Sequence, residues 1–168
     1  MSEISDKQDN ATLVADLAAL LTSRNQMMAT AESCTGGGIA AALTARAGSS
    51  AWFAGGIVSY SNAMKENLLG VRREVLASEG AVSEDVVLQM AEGVMAATGA
   101  DCSVSVSGIA GPDGGTPEKP VGTVWIGWGV RDTAPSAECF RFEGSREEVQ
   151  AAAIHAGIAG LVRRLQPG

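Results

Sequence analysis

Two short apolar runs, QMMATAE at 26–32 and WFAGGIVSY at 52–60, stand on either side of TGGGIAAALTARAG at 35–48. The outer runs have the length and bounding residues of buried strands. The middle one, with small and apolar residues closely spaced and a stop near Gly48, has the pattern of a helix with a glycine-rich first turn. This strand, tight turn, helix, strand order constrains the fold most, because it requires a sheet with helices laid against it.

The rest of the chain extends the same plan. Leu13, Leu17, Leu20 and Leu21 recur at helical spacing in ATLVADLAALLTSR, which predicts a first amphipathic helix after a frayed start over 1–10. SNAMKENLL predicts a short helix capped by Ser61 and stopped at Gly70. SEDVVLQMAEGVMAATG predicts a longer one capped by Ser83, with two acids where the helix dipole favours them. ADCSVSVSG reads as a strand, VGTVWIGWGV and AECFRF as two more at hairpin distance, and SREEVQAAAIHAGIAGLVRRL as a C-terminal helix opened by a capping box of Ser145 with Glu148. The expected fold is α/β: one domain over 1–168, a three-layer α/β/α sandwich around a mixed sheet, with ligands gathering at strand ends. At 168 residues, 46% hydrophobic and 18% charged, the chain can bury a core without disulfides or metals.

Charge and cysteine usage remove several functional classes. A net charge of −7 leaves no basic stripe for a nucleic-acid backbone, although one or two arginines beside a helix end suffice for a small anion. The three cysteines, Cys34, Cys102 and Cys139, are far apart and lack metal-ligand spacing, so no metal or other cofactor is expected. The polar start MSEISDKQDNATL has no signal pattern, and no apolar run reaches a membrane-spanning length. A cytoplasmic protein without membrane or nucleic-acid partners is expected, and exposed apolar faces make a homo-oligomer the expected assembly.

Three segments carry candidate chemistry. AESCTGGG at 31–38 places Ser33, Cys34 and Thr35 at a strand end and before a helix start. Backbone N–H groups there, opened by Gly36 and Gly37, suit an anion or a developing oxyanion. The stretch fits neither a nucleophile elbow nor a phosphate loop, since Ser33 has no glycine two residues before it and no lysine follows the glycines. SYSNAMK supplies Tyr60 at a strand end and Lys65 near a helix start, where the dipole and partial burial favour a neutral amine able to accept a serine proton. SVSGIAGPDGGTPEKPVGT contains three of the five prolines within residues 109–120. It reads as a surface loop in which Ser107, Gly108, Gly111 and Thr123 bind a polar or phosphorylated ligand. Arg141 and Arg146 flank the last helix start, and either can pair with a phosphate. The only histidine, His155, lies in the middle of the alanine-rich last helix, so a serine hydrolase here would move its proton through lysine or tyrosine. Cys34 is expected to face the core, with a cysteine-dependent amidase as the competing possibility.

Together, TAESCTGG, AGSSAWFAGGIVSYSNAMKENLLGV, GAVSE, VSVSGIAGPDGGTPEKPVGTVWIG and RFEGSRE, spread over about residues 30–147, closely resemble the C-terminal domain family of the competence/damage-inducible protein CinA. Stand-alone members of that family act as nicotinamide-nucleotide amidohydrolases. The resemblance excludes the molybdopterin-binding-like N-terminal domain of longer members, and with it any function attached to that domain. It implies hydrolysis of nicotinamide mononucleotide, a small-molecule nucleotide substrate, to nicotinate mononucleotide and ammonia, through a serine assisted by Tyr60 and Lys65. It favours Ser50 of GSS as the catalytic hydroxyl, with Ser33, Thr35, Gly36 and Gly37 at the substrate or oxyanion site, and with Arg146 on the ribose phosphate; Ser33 remains the other candidate nucleophile. A non-catalytic nucleotide-binding or interaction module is the alternative from a different class.

Overall fold

The structure, a computed structural model, describes residues 8–167, so residues 1–7 of the expected frayed segment lie outside the described part. Asp9 accepts a hydrogen bond from Thr12 N and caps α1 (Asn10–Ser23), so order begins before the end of the expected fray. Then follow β1 (Met28–Glu32), α2 (Gly38–Thr44), a 3₁₀ turn (Ser49–Ala51), β2 (Phe53–Val58), α3 (Asn62–Leu69), α4 (Arg73–Glu79) and α5 (Glu84–Thr98). The chain ends in β3 (Cys102–Gly108), β4 (Thr123–Val130), β5 (Ser136–Arg141) and α6 (Arg146–Leu165).

The five strands form one mixed sheet in the order β2-β1-β3-β4-β5. β1 pairs parallel with both β2 and β3, while β4 and β5 continue antiparallel. Alternation along the strands sends side chains to two separate cores. Met28, Val104, Val106, Ile126 and Trp128 pack with α1, α2 and α6, and Ala29 and Ala31 pack with α3, α4 and α5. The three-layer sandwich read from the sequence is the observed architecture. Among the described residues no helix is long and apolar enough to cross a membrane.

Topology also determines where a site can form. From β1 the chain crosses one face through α2 to reach β2, then returns across the other face through α3, α4 and α5 to enter β3 on the opposite side of β1. At such a switch point the two crossovers part and leave a crevice at the carboxyl end of the central strand. Here that end is Glu32, with Ser33 next.

Two local differences from the sequence expectations have physical causes. α4 was not foreseen, because among its seven residues only Val75 is buried and no amphipathic period develops. α2 is shorter than 35–48 because Gly36 and Gly37 take positive φ values of 59° and 97°, so the helix starts after them. On the opposite face, α5 crosses the end of α3 at Gly93, where a methyl group would lie 1.9 Å from the Leu69 carbonyl oxygen. Because that neighbour is backbone, Gly93→Ala should cost about 2–3 kcal/mol. The melting temperature should fall by roughly 5–10 °C, and an unchanged value would show that the two helices separate freely.

Candidate active site

Lys65 is the largest anomaly in the interior. It lies on α3, is 1% exposed, and has no carboxylate partner among the described residues. Its Nζ donates to the carbonyls of Ser59 at 2.8 Å and Tyr60 at 3.0 Å, and lies 3.1 Å from Ser33 Oγ. The local sequence builds this clamp. Ser61 caps α3 by accepting from Met64 N, which turns the chain between β2 and α3 so that the carbonyls of residues 59 and 60 face back over the helix. Burial pushes the Lys65 ammonium below its ordinary value, outweighing the opposite effect of Cys34. A neutral amine has two N–H donors and one lone pair. With both carbonyls taking the donors, the lone pair is left facing the Ser33 hydroxyl, which is the geometry for removing its proton.

Ser33 is held from the sheet side. Its N–H donates to Val106 O at 3.0 Å, and Ser59 N donates to Glu32 O at 2.8 Å. The parallel pairing of β1 with both neighbours therefore continues one residue past the strand end. The next turn is fixed by Glu32, whose side chain sits on the α2 face and is 1% exposed. Its carboxylate accepts from Thr35 Oγ1 at 2.6 Å, Ile39 N at 2.8 Å and Ala40 N at 3.0 Å.

That arrangement gives the glycine-rich turn a structural role alongside the expected one. The free N–H groups at the start of α2 are met by the protein's own carboxylate, and the Thr35 hydroxyl is directed to the same group. Gly36 and Gly37 supply left-handed backbone for the turn, and a methyl group at Gly38 would lie 2.4 Å from Ile154 Cδ1. The glycines thus serve close helix packing. An acid one residue before the serine is the sequence signal for this arrangement.

Ser50 lies at the wrong end of the sheet. The 3₁₀ turn that carries it precedes β2, and Trp52 O accepts from Met28 N at 2.8 Å, beside the start of β1. Five strand residues separate that edge from Ser33, on the order of 15 Å at about 3.3 Å per residue. A crossover between parallel strands always returns the chain to the amino-terminal edge, so a serine between α2 and β2 cannot fold back over the strand ends. Ser50→Ala should leave turnover within about twofold of wild type, as is usual for substitutions away from a site.

A cavity of about 190 Å³ opens beside the Ser33–Lys65 pair, and its lining includes Tyr60, Ser107, Gly108 and Arg146. Asn62, Ala81, Val82 and Ala110 complete its walls. Sequence reasoning missed these four, although Asn62 sits inside SYSNAMK and Ala81–Val82 inside GAVSE. The Tyr60 side chain is 63% exposed at the rim, so its carbonyl, and not its phenol, meets Lys65. Arg146 donates to Gly111 O at 2.8 Å and lies 3.5 Å from the Tyr60 hydroxyl. Arg141 is directed along β5 to Cys139 Sγ at 3.0 Å and does not line the cavity. Gly108 is pressed against Val124 and Thr123, and Gly111 serves the cavity through the carbonyl that holds Arg146. Thr123 is 1% exposed and donates its hydroxyl to Pro120 O at 2.6 Å, closing the 109–122 loop on itself.

Cys34 also borders the cavity, but it is 5% exposed within the core. Burial pushes its thiol up to about 11. A thiol that remains protonated at neutral pH is a poor nucleophile. Cys34→Ala should therefore retain near-wild-type turnover, and loss of activity without loss of folding would revive the cysteine mechanism.

Fold and site define an α/β sandwich protein with a buried serine–lysine pair at the switch point of its sheet. The chain belongs to the CinA C-terminal domain family, which matches residues 10–165. It is 50% identical over 152 residues to the nicotinamide-nucleotide amidohydrolase PncC of Pseudomonas putida, covering 90% of this chain and 94% of that protein. With the protein of the same name from Escherichia coli K12 it shares 52% identity over 132 residues, 77% of this chain and 79% of that one. The crystal structure of the competence/damage inducible protein CihA from Agrobacterium tumefaciens superposes with a TM-score of 0.92 at 40% identity, covering 95% and 97% of the two chains.

Proposed function

We propose that this protein hydrolyses the carboxamide of nicotinamide mononucleotide to give nicotinate mononucleotide and ammonia, with Ser33 as nucleophile and Lys65 as its base. The observation that carries the mechanism is the 3.1 Å contact between Lys65 Nζ and Ser33 Oγ in a cavity wall. The substrate follows from relatives about 50% identical over most of the chain, which bear the name nicotinamide-nucleotide amidohydrolase.

The geometry supports the following steps. Neutral Lys65 takes the Ser33 proton as Oγ forms a bond to the amide carbon, and the carbonyl electrons move onto oxygen. Collapse of that oxyanion breaks the C–N bond, and the departing nitrogen takes up a proton held by Lys65, leaving as ammonia. Water then attacks the acyl-serine, giving a proton to Lys65 and releasing the carboxylic acid, while the proton passes back to Ser33. The cavity is smaller than the roughly 300–1,000 Å³ that encloses a drug-sized ligand. It therefore takes the nicotinamide end, and the ribose phosphate extends past the rim towards Arg146 and Tyr60. Arg146 is held by Gly111 O, so its guanidinium can hold the phosphate and orient the ring without first being ordered.

The test is equimolar formation of ammonia and nicotinate mononucleotide from nicotinamide mononucleotide. Substrate that binds without release of ammonia would favour a nucleotide-binding module. The pH profile adds an independent check. Protonated Lys65 cannot act as the base, so kcat/KM should rise about tenfold per pH unit and level off at a pH below the ordinary lysine value of about 10.4. A profile still rising through pH 10 would contradict a buried, readily neutralised lysine.

A further inference from the structure

We propose that the hydroxyl of Ser107 is the side-chain donor that stabilises the oxyanion formed when Ser33 attacks. The inference rests on the amidohydrolase reading and adds a catalytic residue to it.

One face of β3 carries Ser103, Ser105 and Ser107, and all three are at most 1% exposed. The first two serve α5: Ser103 Oγ donates to Ala91 O at 2.8 Å and Ser105 Oγ donates to Val87 O at 2.6 Å, one helical turn apart. At Ser107 the series breaks. α5 has begun, at Glu84, only one residue beyond its cap, and no hydrogen-bond partner for the Ser107 hydroxyl occurs among the described residues. Instead the residue lines the cavity that contains Ser33 and Lys65.

Register places this hydroxyl beside the nucleophile. β1 and β3 pair as Met28 with Cys102 through Glu32 with Val106, and the bond from Ser33 N to Val106 O carries the pairing one step further, to Ser33 beside Ser107. Partners in a parallel pair point to the same face and stand about 4.8 Å apart. A carboxamide carbon attacked by Ser33 Oγ therefore has its oxygen within reach of Ser107.

Several of the backbone donors at this turn are already committed within the protein. In many acyl-transfer sites backbone N–H groups bind the oxyanion, but here the Ser33 N–H is held by Val106 O. Gly36 N and Gly38 N bond within the turn, and Ile39 N and Ala40 N bond to Glu32. Lys65 cannot substitute, because its nitrogen faces two carbonyls and Ser33. Ser107 offers an O–H that no acceptor among the described residues takes up, and it lines the same cavity as Ser33.

Ser107→Ala removes that donor and breaks no hydrogen bond among the described residues. With nicotinamide mononucleotide as substrate, kcat should fall about 10²-fold with KM little changed and the melting temperature unchanged. Ser105→Ala is the control with the opposite pattern, a lower melting temperature and a retained kcat, because its hydroxyl serves α5. A Ser107→Ala enzyme whose kcat stays within about threefold of wild type, or whose KM alone rises, would overturn the assignment while leaving the amidohydrolase intact. Wild-type protein that releases no ammonia would overturn the amidohydrolase reading itself, and the role of Ser107 with it.

Discussion

Replacing Lys65 by methionine should lower kcat for ammonia release by at least about 10³-fold, the upper range for loss of a general base and more where base and nucleophile act as a unit. The substitution keeps the length of the side chain but removes the lone pair that faces Ser33. Folding should largely survive. The carbonyls of Ser59 and Tyr60 lose a donor, but the cost of holding an ammonium at 1% exposure disappears as well. The double variant Ser33→Ala with Lys65→Met should be no slower than the slower single variant, since each change disables the same step. A Lys65→Met enzyme that retains a tenth of wild-type kcat would show that the proton goes elsewhere.

Glu32→Ala should produce the largest loss of stability. Three donors, the Thr35 hydroxyl and the N–H groups of Ile39 and Ala40, lose their acceptor together inside the fold. Each orphaned buried group costs about 1–3 kcal/mol, so losing all three acceptor contacts should cost about 3–5 kcal/mol even if the turn partly relaxes. The melting temperature should drop by roughly 6–20 °C for a chain of this length. Glu32→Gln should fall between, because its amide oxygen still accepts while its NH₂ faces donors. An unchanged melting temperature in Glu32→Ala would mean that water or a rearranged turn satisfies the start of α2, and that the turn bearing Ser33 is not held as described.

These two residues also show what was legible in the sequence. The sandwich and its mixed sheet were readable because apolar strand runs alternate with capped helices, and the Ser61 and Ser145 caps form as expected. Tyr60, Lys65, Ser33, Ser107 and Arg146 were named from strand ends and glycine-rich loops, and the fold brings all five to one cavity. Strand ends meet at a switch point whatever their spacing along the chain.

Long-range pairing was less accessible. Glu32 reads as the polar end of a strand, and its match to N–H groups seven and eight residues later depends on a turn with two left-handed glycines. The resemblance favours Ser50 as the catalytic hydroxyl, but parallel topology puts Ser50 and Lys65 at opposite ends of β2. Thr123 and Arg141 share the loop-flanking positions that suggest ligand contact, but a local carbonyl and a neighbouring sulfur take their polar groups. For Glu32, Thr123 and Arg141 the partner was inside the protein, and for Ser50 the topology decided; both are visible only in three dimensions.

In the proposed mechanism Ser33, paired with Lys65, is the nucleophile. The most direct test measures ammonia release from nicotinamide mononucleotide by Ser33→Ala and Ser50→Ala side by side with wild type, with folding checked by thermal melts. A loss of at least about 10³-fold is expected in Ser33→Ala, with wild-type turnover in Ser50→Ala. A folded, active Ser33→Ala enzyme together with an inactive Ser50→Ala enzyme would contradict that mechanism.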